Sequence, residues 1–287
     1  MFGIKKKKKV VKKTKKVVEN ITPKEDLKTK TEEEKEEKEV SPSKPSLSTA
    51  LGKTEEKLEN DFYVYQIKEF MKKTGLYLPS PIESLSAVEK SICSAKKYQT
   101  GGVLILPNLY DKLADKESAH LKDTAFSVLI DFPFGLSTNK ARKKEVNGYK
   151  FSSLENIILS IPTGIDDTFL SAKEKSQNQK ILKKADSLGV LVSADFGEEV
   201  VKKTFKAYRD MKMQSFTLFG LNLKGESLLS MVRVALEYKG NKSLFVVSSV
   251  DTPEELGEMT ALGVDRVYTP FIEKIGSELL QKFSVTL

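Results

Sequence analysis

Residues 244–269 read LFVVSSVDTPEELGEMTALGVDRVYT, and this stretch decides the fold of the chain. It begins with a short apolar run, passes through an amphipathic helical pattern and ends in a second apolar run. Thr252 is suited to cap the helix, Pro253 to occupy its first turn and Glu255 to complete a capping box. The stretch therefore predicts one complete strand–helix–strand unit.

The same unit recurs along the chain. Strands that alternate with helices imply parallel pairing and right-handed crossovers. A weaker first strand at 76–78 brings the count to eight, which predicts a (β/α)8 TIM barrel. An open doubly wound sheet is the alternative, but no Gly-rich dinucleotide turn follows the first strands. The other seven apolar runs are 102–107, 126–131, 156–161, 189–195, 215–220, 243–248 and 265–269.

The first 58 residues have a different composition from the rest of the chain. Residues 1–16 contain nine lysines, residues 31–39 are mainly acidic, and residues 41–46 are rich in Ser and Pro. Such a segment has too few apolar side chains to build a core. We therefore predict that residues 1–58 form a disordered, Lys-rich tail.

A helix is predicted between this tail and the barrel. The expected organisation is the charged tail over 1–58, an N-terminal helix and lead-in over 59–79, and the barrel over 80–287. Gly75 is expected to end the helix as its C-cap. The helix is indicated by apolar residues at roughly helical spacing, namely Phe62, Tyr65, Ile67, Phe70 and Met71.

The charge of the chain is concentrated in the tail. Residues 1–59 carry +5 of the net charge of +8, so a basic nucleic-acid groove on the barrel has little support. The tail either solubilises the protein or tethers it to an anionic surface such as RNA, the ribosome or membrane headgroups. An amphipathic membrane anchor is disfavoured because the apolar residues of 1–16 form too small a face.

The cellular compartment is indicated by cysteine usage. Cys93 is the single cysteine, which excludes an internal disulfide and suits the reducing cytoplasm. We expect Cys93 to lie in the core beside Val88 and Ile92. The chain has no apolar run of membrane-spanning length, and no apolar segment follows its basic start as in a secretory signal.

Three stretches resemble the deoxyribose-phosphate aldolase family. The strand-3 signature of the family is similar to VLIDFPFGLST (128–138). Its second βα unit is similar to ICSAKKYQTGGVLILPNLYDKLA (92–114). Its strand-7 and strand-8 motifs are similar to residues 244–269. The resemblance covers roughly 80–270 and implies a class I aldolase. In such an enzyme a lysine forms a Schiff base, a second lysine lowers the pKa of the first, and an aspartate relays protons.

The three chemical positions of the family are replaced in this chain. Leu218 stands at the position of the Schiff-base lysine, Phe245 at that of the second lysine, and Ile158 at that of the aspartate. A strand without an amine cannot form an iminium. The resemblance therefore implies a barrel that has lost the family's chemistry.

The phosphate-binding positions are replaced as well. Ser248 and Ser249 stand where the family has a glycine pair, Asp251 where it has an arginine, and Tyr268 where a glycine follows strand 8. The two serines remain weak candidates for ligand binding. Asp251 places a negative charge beside the phosphate position, which argues against a phosphate ligand.

A few polar residues remain as candidates for chemistry. Asp195 is either an acid–base group or, more in keeping with its place after a strand, a hydrogen-bonded structural carboxylate. Lys224 is either a displaced amine or a solvated loop lysine. Asp166 and Asp167 are expected to cap a helix, because too few hard ligands accompany them for a metal. His120 lies in a polar loop without a second transition-metal ligand nearby, so we expect neither a metal nor a cofactor.

These observations predict a catalytically inactive, aldolase-like barrel that serves as an interaction or structural module. The alternatives are a diverged aldolase or Schiff-base lyase that uses Lys224 and Asp195, and a sugar-phosphate sensor that binds without reacting. The expected partners are a protein or an anionic surface contacted through residues 1–16, and a second copy of the chain is a further candidate.

Overall fold

The computed structural model describes residues 47–78, 84–116, 122–133, 135–150, 152–162, 172–184 and 187–286. Within them, eight parallel strands form a closed barrel in chain order, and helices alternate with the strands. The strands are β1 (Thr74–Leu78), β2 (Gly102–Ile105), β3 (Phe126–Ile130), β4 (Asn156–Ser160), β5 (Leu188–Ser193), β6 (Ser215–Gly220), β7 (Ser243–Ser248) and β8 (Arg266–Thr269). The helices are α1 (Leu47–Lys72), α2 (Leu85–Lys97), α3 (Pro107–Asp115), α4 (Asn139–Tyr149), α5 (Ala172–Leu182), α6 (Glu198–Tyr208), α7 (Gly225–Tyr238), α8 (Pro253–Leu262) and α9 (Ile272–Lys282).

The pairing of the first strand with the last closes the barrel. β1 pairs with β2 on one side and with β8 on the other, where Thr74 lies opposite Val267 and Leu76 opposite Thr269. Closure satisfies the backbone groups that an open sheet would leave at its edges. The predicted (β/α)8 fold is therefore confirmed, and the open doubly wound alternative is excluded. Each apolar run of the sequence contains one strand.

The helix that precedes the barrel begins earlier than the sequence indicated. α1 is 26 residues long and starts at Leu47, so the expected boundary at residue 59 moves toward the N-terminus. The barrel likewise begins at Thr74 and not at residue 80. Most of the predicted tail, residues 1–46, lies outside the described residues.

The prediction that Gly75 caps this helix is wrong. α1 ends at Lys72, and Gly75 lies inside β1. A Cβ atom at Gly75 would overlap the ring of Tyr268 on the neighbouring strand β8. Gly75 is therefore required by the close approach of an aromatic ring inside the barrel and not by a helix end.

The helix of the opening stretch begins as its sequence predicts. The Thr252 hydroxyl accepts a hydrogen bond from the backbone N–H of Glu255, and Pro253 lies in the first turn of α8. Gly263 ends the helix with φ of +103°, a left-handed conformation that glycine adopts without a steric cost. These signals direct the chain back toward the sheet, where β8 begins.

Two apolar layers result from the alternation of side chains along each strand. The larger layer lies between the strands and the surrounding helices and includes Leu218 and Val246. A smaller cluster fills the inside of the barrel, as is usual for eight strands. Its buried members are Tyr77, Leu104, Leu129, Ile158, Leu191, Phe219, Phe245, Val247 and Tyr268.

Cys93 does not lie in the core, so that prediction is wrong. Val88 and Ile92 are fully buried on α2, whereas Cys93 is exposed. Adjacent helix residues are about 100° apart around the axis, which turns Cys93 away from the face that holds Val88 and Ile92.

None of the helices in the described ranges is both long enough and apolar enough to cross a membrane.

The turn after β3 contains Pro133 and Gly135, both from the VLIDFPFGLST stretch. The strand ends at Ile130, and Pro133 follows in the turn. Gly135 has φ of +67° and donates its N–H to the carbonyl of Asp131 at 2.8 Å. Phe134 lies outside the described residues. The turn brings the Asp131 carboxylate to two contacts with the backbone N–H of Ser137, at 3.0 and 3.1 Å.

Asp131 also forms a buried ion pair with Arg142 of α4. The Arg142 Nε lies 3.2 Å from the Asp131 Oδ2, and the two side chains are 2% and 8% exposed. Arg142 donates further hydrogen bonds to the Asn178 Oδ1 at 2.9 Å and to the Ser160 carbonyl at 2.7 Å. Asn178 in turn donates to the Tyr208 hydroxyl at 2.6 Å. One guanidinium thus connects α4 with the end of β3, the end of β4 and, through α5, with α6.

We expect Arg142→Met to lower the free energy of unfolding by about 3–5 kcal/mol, because it leaves a buried carboxylate without its cation. Lys143→Met is the matched control, since Lys143 is the exposed neighbour on the same helix; its change should stay within about 0.5 kcal/mol. Urea denaturation followed by circular dichroism measures both. Equal stability of the two variants would contradict a structural role for the ion pair.

Candidate functional site

The eight strands carry very few ionisable side chains. None of them contains a lysine, aspartate, glutamate or histidine, and their ionisable residues are Tyr77, Tyr268 and Arg266. Class I aldolase chemistry requires an uncharged amine that can attack a carbonyl inside the barrel. The strands of this barrel supply no such amine.

Aromatic rings fill the barrel near the carboxyl ends of the strands, where (β/α)8 enzymes place their active sites. The rings of Phe132 and Phe219 pack edge to face with centroids 5.1 Å apart, and each contacts Tyr77 in the same geometry, at 6.3 and 6.4 Å. Tyr77 is fully buried and Phe219 is 9% exposed. Burial raises the pKa of the Tyr77 phenol, so this group stays neutral at physiological pH. The three rings pack as a hydrophobic core does.

The opposite end of the barrel is closed by an ion pair. Arg266, at the start of β8, donates two hydrogen bonds to the carboxylate of Glu155, at 2.6 and 3.0 Å, and one to the Tyr268 hydroxyl at 3.0 Å. A Cβ atom at Gly102 would lie 2.9 Å from the Arg266 Nη1. The guanidinium is therefore held in a close-packed structural contact, away from the carboxyl ends of the strands.

Two of the three replaced catalytic positions lie inside the barrel. Ile158 and Phe245 belong to the interior cluster. Leu218 does not join them, because it lies in the layer between the strands and the helices. Its neighbour Phe219 is the β6 residue that lies in the interior cluster. One residue reverses the face of a strand, so the side chain at position 218 points away from the barrel interior, and the assignment of Leu218 to the lysine position stays a prediction.

Ser248, the last residue of β7, and Ser249, which follows it, offer little to a ligand. Ser248 is fully buried, and the Ser249 hydroxyl donates a hydrogen bond to the Leu221 carbonyl at 2.8 Å. A glycine pair at these positions would expose backbone N–H groups and leave space for an anion. Ser248 shares the face of β7 that holds Val246, toward the helices, and the Ser249 hydroxyl is already bonded to backbone.

Asp195 and Lys224 both lie on loops at the carboxyl ends of the strands, and both are exposed. The Asp195 carboxylate accepts hydrogen bonds from the Ser193 hydroxyl at 3.5 Å and from the Asn222 side-chain amide at 3.4 Å. Lys224 is the N-cap residue of α7 and makes no side-chain capping bond. The contacts of Asp195 are those of a structural carboxylate in a loop.

A second lysine at this face was missed by the sequence analysis. The Nζ atom of Lys274, in the first turn of α9, lies 2.6 Å from the Asp251 Oδ2. The hydrogen bond to Asp251 raises the pKa of Lys274. The same hydrogen bond lowers the pKa of Asp251, and the charge of Lys224 lowers it further. The pair is not visible in the sequence because Asp251 follows β7 and Lys274 lies on α9 after β8, and the two meet only when these neighbouring units pack side by side.

The remaining candidates cannot be placed. Asp166, Asp167 and His120 lie outside the described residues. Within the described ranges, no group of three or more His, Cys, Asp or Glu side chains is arranged to hold a metal ion. The expectation of no metal and no cofactor stays a prediction.

Comparison with solved structures relates this geometry to aldolases. QR15, an aldolase, superposes with a TM-score of 0.63 at 17% identity, covering 74% of this chain and 96% of that one. A tetrameric deoxyribose phosphate aldolase from Aeropyrum pernix gives 0.61 at 12% identity, over 77% and 95% of the two chains. A putative deoxyribose-phosphate aldolase from Coccidioides immitis gives 0.60 at 14%, over 74% and 86%. No family model and no curated protein matches the sequence. The fold therefore supports the resemblance to the deoxyribose-phosphate aldolase family, while the identity is too low to transfer an activity.

We expect Phe219→Ala to lower the free energy of unfolding by about 3–5 kcal/mol, because it opens a cavity inside the barrel. Phe196→Ala is the matched control, since Phe196 lies on the neighbouring loop and is 41% exposed. Urea denaturation of both variants measures the difference. A loss below about 1 kcal/mol for Phe219→Ala would mean that the carboxyl end of the barrel is not packed as a core.

Proposed function

We propose that the chain is a catalytically inactive barrel of the deoxyribose-phosphate aldolase type that acts as an interaction module in the cytoplasm. The observation that carries this proposal is the lack of any lysine on all eight strands. Without an amine in the barrel, the family's Schiff base has no nucleophile. The fold persists because its strands and helices do not depend on the catalytic residues.

The packing of the interior supports the same conclusion. An active site for a sugar phosphate needs a concave, partly polar space at the carboxyl ends of the strands. In this chain the rings of Tyr77, Phe132 and Phe219 occupy the inside of the barrel there. Ile158 is assigned to the position of the family's aspartate and Phe245 to that of its second lysine, and both are apolar residues of the barrel interior.

The partner is proposed to be anionic and to bind the lysines of residues 1–16. Nine lysines within sixteen residues attract RNA, ribosomal or headgroup phosphates by long-range electrostatics, and their binding weakens steeply with salt. The barrel would then serve as the folded body that such a tether holds in place.

A Schiff-base lyase with a relocated lysine is the second candidate. Lys224 and Lys274 lie at the carboxyl face of the barrel, one on each side of the loop that holds Asp251. A nucleophilic lysine needs a lowered pKa, however, and the pKa of Lys274 is raised by Asp251. Lys224 is exposed, which leaves it hydrated. A sensor of sugar phosphates is less supported, because Ser248 and Ser249 stand where the family has a glycine pair.

The proposal of inactivity is tested by trapping a covalent adduct. We expect no cleavage of deoxyribose 5-phosphate above the buffer rate, and no lysine that acetaldehyde and borohydride modify faster than the exposed lysines of the same chain. An active deoxyribose-phosphate aldolase serves as the positive control. If such a preferred adduct forms, its loss in Lys224→Arg or in Lys274→Arg would identify the lysine and establish the lyase.

The tether is tested separately in the full chain. We expect replacement of the nine lysines of 1–16 by Gln to abolish co-purification of an RNA, ribosomal or lipid partner from lysate. The control replaces the five lysines of 24–38 by Gln, which removes charge from the acidic part of the same segment. Loss of the partner in both variants, or in neither, would refute a specific role for residues 1–16.

A further inference from the structure

Folding concentrates positive charge on one side of the barrel. Residues 60–287 carry a net charge of only +3, because the whole chain carries +8 and residues 1–59 carry +5. Three short segments within 60–287 nevertheless contain ten Lys or Arg side chains and two carboxylates, or +8. The rest of 60–287 is therefore net negative, at −5. The three segments are called the basic surface below, and they are residues 180–184, 202–212 and 237–242.

The segments of the basic surface lie side by side in the fold. They belong to α5, α6, α7 and the loops that follow these helices, and the three helices connect consecutive strands of the barrel. Asn178 of α5 donates a hydrogen bond to the Tyr208 hydroxyl of α6 at 2.6 Å. A Cβ atom at Gly240, after α7, would lie 4.0 Å from the Arg209 Cβ, after α6. The sequence did not reveal this surface, because its segments are far apart along the chain.

The helix dipole accounts for only part of this charge. Cations are stabilised near the C-terminus of a helix, but the effect falls off within the last turn. Lys202 and Lys203 lie in the middle of α6, and neither α4 nor α8 has a basic residue in its last turn. Like charges that are this concentrated repel one another and destabilise the folded state. The concentration therefore indicates an anionic partner.

The basic surface offers charge but little apolar area. Its rings are buried, as those of Phe205 and Tyr208, or covered, as that of Tyr238, whose centre lies 4.6 Å from the Lys206 Nζ. None of the exposed large apolar residues in the described ranges belongs to it. Protein–protein interfaces have an apolar core that is depleted in lysine, and stable membrane attachment needs an apolar anchor besides charge. The backbone of a nucleic acid, by contrast, is bound through its phosphates alone.

We propose that the basic surface binds the phosphate backbone of double-stranded RNA without reading its sequence. Nine of its ten cations are lysines, which act as point charges. Because the described part of the surface exposes no ring on which an unpaired base can stack, a duplex fits it better than a single strand. The choice of RNA rests on the proposed function, in which RNA is one of the partners of the tail. The surface itself lies on the barrel and acts independently of residues 1–16.

The chain's own acidic segments fit the basic surface less well. The acidic run 31–39 belongs to residues 1–46, which carry a net charge of +6. A second copy of the chain is also net positive, at +8. In both cases repulsion between like charges offsets the local attraction. Duplex RNA carries no positive charge, so its attraction to the surface is not offset.

The basic surface is tested by fluorescence anisotropy with the full chain and a labelled RNA duplex of about 20 base pairs. The triple variant Lys183→Gln, Lys206→Gln and Lys242→Gln removes one lysine from each segment. We expect its dissociation constant to rise at least about tenfold at low salt, because three phosphate contacts are lost. The slope of log affinity against log salt should fall by about three in magnitude. Circular dichroism and urea midpoints confirm that the variant is folded.

The matched control is the triple variant Lys90→Gln, Lys112→Gln and Lys143→Gln. It removes the same charge from three exposed lysines on α2, α3 and α4, which lie on the other side of the barrel. We expect its dissociation constant to stay within about twofold of that of the unmodified chain. Equal behaviour of the two triple variants would overturn the proposal, because binding would then depend on net charge or on the tail.

Competing partners are tested with the same proteins. Vesicles of phosphatidylcholine and phosphatidylserine in equal parts represent a membrane, and a single-stranded RNA of the same length represents unpaired bases. Tighter binding to either of them than to the duplex would overturn the proposal. The tail is judged separately by the replacement of the nine lysines of 1–16. If that change abolishes RNA binding while the two triple variants behave alike, the tail binds RNA and the basic surface does not.

Discussion

An eight-stranded barrel encloses a space that side chains must fill, and the other features of this molecule depend on how it is filled. Aliphatic and aromatic residues occupy the middle of the barrel and its carboxyl end. The Arg266–Glu155 ion pair closes the amino end. Gly75 and Gly102 leave the room that Tyr268 and Arg266 require. Because closely packed interiors leave few voids, a barrel filled in this way has little space for a substrate.

The fold could be predicted from the sequence, because strand and helix signals alternate without interruption from β2 onward. The start of α1 was missed because its first half is rich in charged residues and contains Gly52, which led the sequence analysis to assign it to the tail. The sequence also does not show which side chains of each strand point into the barrel. Parallel strands are buried on both sides, and each face of SFTLFG carries at least one large apolar residue, so the sequence does not reveal that Phe219 and not Leu218 lies inside. The lack of lysine, by contrast, is visible in the strand sequences themselves.

In this barrel the contacts that hold the helices in place are distinct from the positions at which aldol chemistry would take place. The buried network around Arg142 connects three βα units through side chains that do not enter the barrel. The residues that would perform aldol chemistry lie on the other face of the strands. Substitutions inside the barrel can therefore remove an activity without disturbing the contacts that hold the helices in place, provided that the new side chains fill the same volume.

The pairing of β1 with β8 has a consequence for how the chain is made. Residues 74–78 leave the ribosome long before residues 266–269 exist, so during most of synthesis the growing sheet has two unpaired edges. Docking of α1 is delayed in the same way, because Tyr63 of α1 stacks on Phe283 at the end of α9. Until then both faces of α1 are open to water and to other proteins. A nascent chain of this protein is thus expected to need chaperone protection until β8 and Phe283 have emerged.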